Sequence, residues 1–179
     1  MKEKFPIYVI ANNIRSLANV GLFFRISEAA NIYKLYLCGI TGHPKIPRDN
    51  RFSHQIKKDE DKINKTAIKT APLVNWEYKQ SALDVVKKLK KQGVYIVCVE
   101  QTKKSVSLWE MDIKFPICII FGHERQGIDP KILKESDLTV NISMFGKGKS
   151  LNVTTAYAIT IYELLKKRVK IGRPQIEVI

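Results

Sequence analysis

The stretch "ICIIFGHERQGID", residues 117–129, decides how the fold is read. Five apolar residues, Ile117 to Phe121, run without a polar break and meet a polar loop bracketed by Gly122 and Gly127. A strand with one face in water alternates apolar and polar side chains, whereas a strand covered on both faces reads as a continuous apolar run. The same signature recurs in "FPIYVIA" (5–11), "KLYLCGI" (34–40), "YIVCVE" (95–100) and "LTVNI" (138–142). Helical spacing lies between these runs, in "NVGLFFRISEAANI" (19–32) and in "SALDVVKKLKKQG" (81–93), where a glycine marks the stop. A last helix is expected from about Val153 to Arg168, with Ala156, Ile159, Tyr162 and Leu165 on its buried stripe. Strands alternating with helices give an α/β fold, a mostly parallel sheet flanked by helices. One domain is expected to span residues 1–179, a length sufficient to bury a sizeable core. Only Gly42 to Lys65, polar, charged and carrying two prolines, breaks the rhythm and reads as a functional loop.

Composition narrows the function classes. Lys and Arg number 31 against 17 Asp and Glu, a formal net charge of +14, which favours capture of polyanions such as nucleic acid. No stretch approaches the roughly 18 apolar residues that span a bilayer, and the N-terminal apolar run lacks a small-residue cleavage site. Cys38, Cys98 and Cys118 lie far apart in apolar runs, with no CxxC pair. That pattern predicts buried free thiols in a reducing cytoplasm and no structural metal site.

Ligands of open α/β sheets bind beyond the carboxyl ends of the strands, so the loops after three strands matter most. After the first strand comes "NNIRSLANVGLFFR" (12–25), in which Asn19 is placed to cap a helix and Arg25 lies two turns further on. After residues 117–121, Glu124 sits between two glycines that permit a sharp turn. After the strand at 138–142 comes "SMFGKGKSLNV" (143–153), where Ser150 and Asn152 flank Leu151 at a helix start. Neither GxGxxG nor GxxxxGK[ST] is present. Taken singly, each residue has an ordinary explanation: a cap, a surface ion pair between Arg25 and Glu28, a strand-to-helix turn.

Together the loops "NIRSLANVGLFFRISEAANIYKLYLCGITGHP", "IIFGHERQGID" and "ISMFGKGKSLNVTTAYAI" resemble the three signature motifs of the SpoU (TrmH-type) RNA 2′-O-ribose methyltransferases of the SPOUT superfamily, and "KTAIKTAPLVNWE" resembles their middle segment. The resemblance covers nearly the whole chain, in the family's order and spacing. It implies a C-terminal trefoil knot over about 117–168, S-adenosyl-L-methionine held by the knot loops, an RNA substrate (tRNA or rRNA) and a homodimer paired through helices that include the last. Position by position, it assigns catalytic roles to Asn19, Arg25, Glu124, Ser150 and Asn152. Gly122, Ile142, Met144, Ser150 and Leu151 fall on cofactor-lining positions. Two departures stand out: Ser143 replaces the family's usual proline, and Arg125 follows Glu124 where many members have a small residue. No accessory RNA-binding domain is seen before the first strand, which tilts the expected substrate towards tRNA or a small RNA element.

Methyl transfer to a ribose 2′-hydroxyl is an in-line displacement in which the protein supplies alignment and charge placement. A guanidinium stays protonated, so Arg25 either is strongly perturbed in the complex or positions a phosphate and balances oxyanion charge. Lys45, Arg48 and Arg51 of the polar loop, with Lys147 and Lys149, are the expected RNA contacts. Lys166, Lys167, Arg168, Lys170 and Arg173 form a second basic group. The rival reading is a catalytically inactive RNA-binding protein of the same fold.

Overall fold

The computed structural model describes residues 4–148 and 150–171. Among these the chain runs β1 (Phe5–Asn12), α1 (Leu17–Ala29), β2 (Ile32–Cys38), α2 (Ser53–Ala67), a 3-10 turn (Ala71–Leu73), β3 (Trp76–Lys79), α3 (Ala82–Lys91), β4 (Tyr95–Val99), β5 (Val106–Ser107), β6 (Ile117–Phe121), α4 (Pro130–Glu135), β7 (Leu138–Asn141) and α5 (Val153–Ile171). The strands form one sheet in the order β3-β2-β1-β6-β4-β7-β5, and every neighbouring pair is parallel.

The apolar runs are continuous because successive side chains serve two cores. Ile7, Val9 and Ala11 of β1, with Ile117, Ile119 and Phe121 of β6, face the layer made by α1, α2 and α5. Ile10, Cys118 and Ile120 face α3 and α4, where Val85, Val86, Leu89 and Ile132 are buried. All five residues of β6 are buried. The three cysteines are free and buried, as expected.

The chain moves outward from β1 through β2 to β3, then returns to place β4 on the far side of β6. The carboxyl ends of β1 and β6, neighbours in the sheet, therefore open beside each other where the winding reverses, the crevice in which such sheets bind ligands. β7 lies between β4 and β5, so residues 100–105 cross over its end.

Several expectations need correction. The segment expected as a loop from Gly42 to Lys65 is half helix: α2 begins at Ser53 and buries Ile56, Ile63 and Ala67 on a sparse stripe. Its charged residues hid the stripe, and Gly21 of α1 admits the helix closely, since a side chain there would collide with Thr66 Oγ1 and Ile63 O. On α5, Ala156, Ile159 and Leu165 of the predicted stripe pack against the core, but the fully buried residues are Tyr157, Thr160, Ile161 and Leu164, and Tyr162 is exposed. Tyr157 sets this register: its ring stacks on Phe23 at 4.6 Å, and its hydroxyl hydrogen-bonds the Ser27 hydroxyl at 2.8 Å. Burial pushes that phenol's pKa far up. The short β3, β5 and α4 were not anticipated; two to six residues carry too little periodicity to be read.

Candidate active site

The β1–α1 loop turns through Asn13, whose φ of 59° lies in the left-handed region. The Asn13 side chain accepts the Ile40 amide at 3.0 Å, and Thr41 Oγ1 both accepts from the Ile14 amide and donates to Ala11 O. These bonds fix the end of β1 against the end of β2. The cap of α1 is Ser16, not the expected Asn19: Ser16 Oγ accepts the Asn19 amide at 3.3 Å. Asn19 falls in the first turn of the helix, buried, with its amide side chain free to link other loops.

The β6–α4 loop closes on itself through His123 N–H to Gly127 O (3.1 Å) and Gly127 N–H to His123 O (2.9 Å). A Cβ on Gly122 would collide with Gly127 O, and Gly127 has φ +70°. Glu100, at the end of β4, accepts the Ile128 amide at 2.9 Å and packs against Gly127. His123 Nδ1 accepts the amides of Arg125 (3.0 Å) and Gln126 (3.2 Å).

This loop delivers Glu124 to the start of α1, where its carboxylate accepts the amides of Arg15 (3.2 Å) and Ser16 (3.3 Å) and the Asn19 side-chain amide (3.2 Å). Partial burial opposes ionisation, but these donors and Glu124's own amide outweigh it and hold the carboxyl below its ordinary pKa. An anion at a helix start is also favoured by the helix dipole. Asn19 passes the link onward: its Oδ1 accepts from Asn152 Nδ2 at 3.3 Å. Asn152 caps α5, accepting the Thr154 amide at 2.8 Å and the Thr154 hydroxyl at 2.6 Å. A single chain, Glu124–Asn19–Asn152, thus ties the start of α1 to two loops more than 100 residues further along the sequence.

Beside this chain opens a cleft of about 640 Å³, within the range of small-molecule sites. Its lining includes Gly122, Ile142, Met144, Ser150 and Leu151, together with Glu124 and Asn152. Val153 and Ala156 add apolar wall, and Glu100 adds a carboxylate. A second cleft of about 360 Å³, lined by Arg15, Ser16, Asn19, His123, Glu124 and Arg125, adjoins it through the last three residues. Arg25 is exposed on α1 and lines neither cleft, nor does it form an ion pair with Glu28 among the described residues. Ser150 is exposed, with no hydrogen-bond partner among the described residues.

These three loops correspond to sequence signatures that can be compared directly. Residues 6–162 match the profile of the SpoU rRNA Methylase family. The chain belongs to that family. It is 27% identical over 174 residues to the tRNA (guanosine(18)-2′-O)-methyltransferase of Aquifex aeolicus (strain VF5), covering 96% of this chain and 74% of the relative. The crystal structure of the A. aeolicus TrmH/SpoU tRNA modifying enzyme superposes with a TM-score of 0.79 at 24% identity, over 98% of this chain and 83% of that one. An AdoMet-bound rRNA methyltransferase from Sinorhizobium meliloti superposes at 0.78 with 19% identity, over 92% of this chain and 57% of that one. At these identities the structural likeness establishes the fold.

Within this SpoU-family site, sequence reasoning overlooked Glu100, which was read only as the end of a strand. A carboxylate closing an otherwise apolar run was the available signal. Of the expected RNA contacts, Lys45, Arg48 and Lys147 are exposed on loops. Arg51 is instead consumed internally, donating to Asp49 (2.7 and 3.0 Å), Asp59 (3.0 Å) and Pro44 O (3.3 Å). Its hydrogen bonds hold the Asp49 carboxyl far below the usual range. Lys167 likewise turns inward, donating to the carbonyls of Leu108, Trp109 and Met111. Lys149 and Arg173 lie outside the described residues, as does the side chain of Lys170.

Proposed function

We propose that this protein is an S-adenosylmethionine-dependent RNA methyltransferase that methylates a ribose 2′-hydroxyl of tRNA or rRNA. The observation that carries the reading is the Glu124–Asn19–Asn152 chain on the rim of a nucleoside-sized cleft. Family membership and the likeness to an AdoMet-bound rRNA methyltransferase support it. The donor set fits the cofactor. Apolar Ile142, Met144, Leu151, Val153 and Ala156 suit a nucleoside, while the Glu100 and Glu124 carboxylates favour a cationic sulfonium.

When bound, S-adenosylmethionine supplies an electrophilic methyl group on sulfur. The residues of the chain then divide the remaining work. Glu124, with its oxygens occupied by N–H donors and its pKa lowered, is a poor base; its role is to hold the start of α1 and Asn19 in place. Asn152 fixes the start of α5 and, through it, the third loop. Ser150 keeps an unpartnered hydroxyl at the cleft wall and is the group free to hydrogen-bond the ribose. Arg25 serves by balancing oxyanion charge or gripping a phosphate. Because it lies outside the clefts of its own chain, that role calls for bound RNA or a second copy to bridge the gap.

The chain acts as one domain over residues 1–179 and as a homodimer pairing through α5, where Tyr162 is exposed. The knot spans about 117–168. In support, β7 is inserted between β4 and β5, and α5 is fastened to the segment 108–111 by Lys167. Buried free thiols fit a cytoplasmic enzyme, and among the described residues no helix is long and apolar enough to cross a membrane.

The test is formation of S-adenosylhomocysteine on mixing protein, cofactor and unmodified tRNA or rRNA transcripts. Product that depends on RNA and disappears with Arg25→Ala supports the reading. RNA binding without product, from a folded protein that binds the cofactor, would move the protein to the inactive RNA-binding class.

A further inference from the structure

We infer that the second cleft is a phosphate subsite, in which the guanidinium groups of Arg15 and Arg125 and the Nε2–H of His123 take an RNA backbone phosphate beside the reacting ribose. The inference rests on the methyltransferase reading of the neighbouring cleft and names how that site holds its substrate.

Three observations carry it. First, the two arginines line one cavity of about 360 Å³ but are not paired there. The single carboxylate between them, Glu124, has its oxygens occupied by the amides of Arg15, Ser16 and Asn19 rather than by either guanidinium. Neither arginine side chain forms an ion pair or hydrogen bond among the described residues, and both are exposed. Two unpaired arginines lining one hollow suit a phosphate, which guanidinium groups bind through paired N–H donors.

Second, His123 is set as a donor. Its Nδ1 accepts two backbone amides, which leaves Nε2 as the ring nitrogen that donates. His123 lines both clefts and stands at their junction. Third, the cavity shares His123, Glu124 and Arg125 with the larger cleft, so a phosphate held here adjoins the place where a ribose meets the cofactor. Phosphate contacts position a nucleic acid without reading its sequence. The subsite therefore explains alignment, not base choice.

The test is binding of unmodified tRNA and rRNA transcripts between about 50 and 300 mM KCl. The proteins compared are the wild type, Arg15→Gln, Arg125→Gln, the double variant, and Lys87→Gln as a control with the same charge loss on the exposed face of α3. Each phosphate contact contributes about 0.7 to 0.9 to the slope of log K against log salt. Each single variant is expected to lose about that much slope and roughly tenfold in affinity, with larger losses in the double variant. Lys87→Gln should keep the wild-type slope. Neither arginine side chain supports the fold, so melting temperatures should match the wild type and exclude misfolding as the cause. Wild-type slopes in both arginine variants, or equal losses in Lys87→Gln, overturn the inference while leaving methylation intact. A wild type that neither binds nor methylates any transcript overturns the methyltransferase reading itself, and the inference with it.

Discussion

Asn19 is the residue on which three loops depend, because its side chain donates to Glu124 and accepts from Asn152. Asn19→Ala removes both bonds in a buried setting, which should cost about 1–2 kcal/mol in denaturant unfolding. Misplacing the two loops should also lower methyl transfer about a hundredfold; activity within threefold of wild type would contradict the linking role. Glu124 gives a pH signature. Its folded pKa is depressed, so its stabilising contribution is present above the ordinary glutamate value near 4.3 and is lost as pH falls through the lower folded value. The stability gap between wild type and Glu124→Gln should therefore narrow from about pH 5 towards pH 3; a gap that widens there would contradict it. At this scale the sequence was legible where chemistry demands a residue type. Glu124, Ser150 and Asn152 line the expected cleft, as do the expected cofactor positions. It was not legible where a residue's partner is set by tertiary packing. Asn19 reads as a cap in sequence, but Ser16 takes that role; Arg51 reads as a free cation, but Asp49 and Asp59 surround it.

At the scale of elements, two glycines separate backbone strain from site geometry. Gly93 and Gly127 have φ of +75° and +70°, but a side chain at Gly93 meets open space whereas one at Gly127 collides with the Glu100 carboxylate. Gly93→Ala should lose about 1–2 kcal/mol in unfolding and keep its cofactor affinity in calorimetry. Gly127→Ala should lose more stability and at least tenfold in cofactor affinity, because it displaces the loop that carries Gly122 and Glu124. Equal behaviour of the two variants would show that Glu100 does not support that loop. Long buried strands announced themselves because both faces are covered. α2 did not, since its stripe of Ile56, Ile63 and Ala67 is set among charged residues and its seat depends on Gly21 of another helix.

At the scale of the molecule, the two cores leave the thiols inert. Burial pushes Cys38 and Cys98 up to about 12 and Cys118 well above its ordinary value. The native protein should take up no iodoacetamide at pH 8, and three equivalents in denaturant; labelling of the native state would contradict the packing of the second core. The α/β class and parallel sheet follow from continuous apolar runs alternating with helical spacing, while strand order does not. Which strands adjoin is decided by long-range pairing, such as β7 entering between β4 and β5, that no local pattern records. The central claim, methylation of ribose oxygen, is tested most directly by mass spectrometry of nucleosides from RNA treated with protein and isotopically labelled S-adenosylmethionine. The account predicts label on the ribose of a 2′-O-methylnucleoside, reduced about a hundredfold with Asn19→Ala and absent with Arg25→Ala. Label on a base, or no labelled nucleoside from tRNA and rRNA alike, would contradict it.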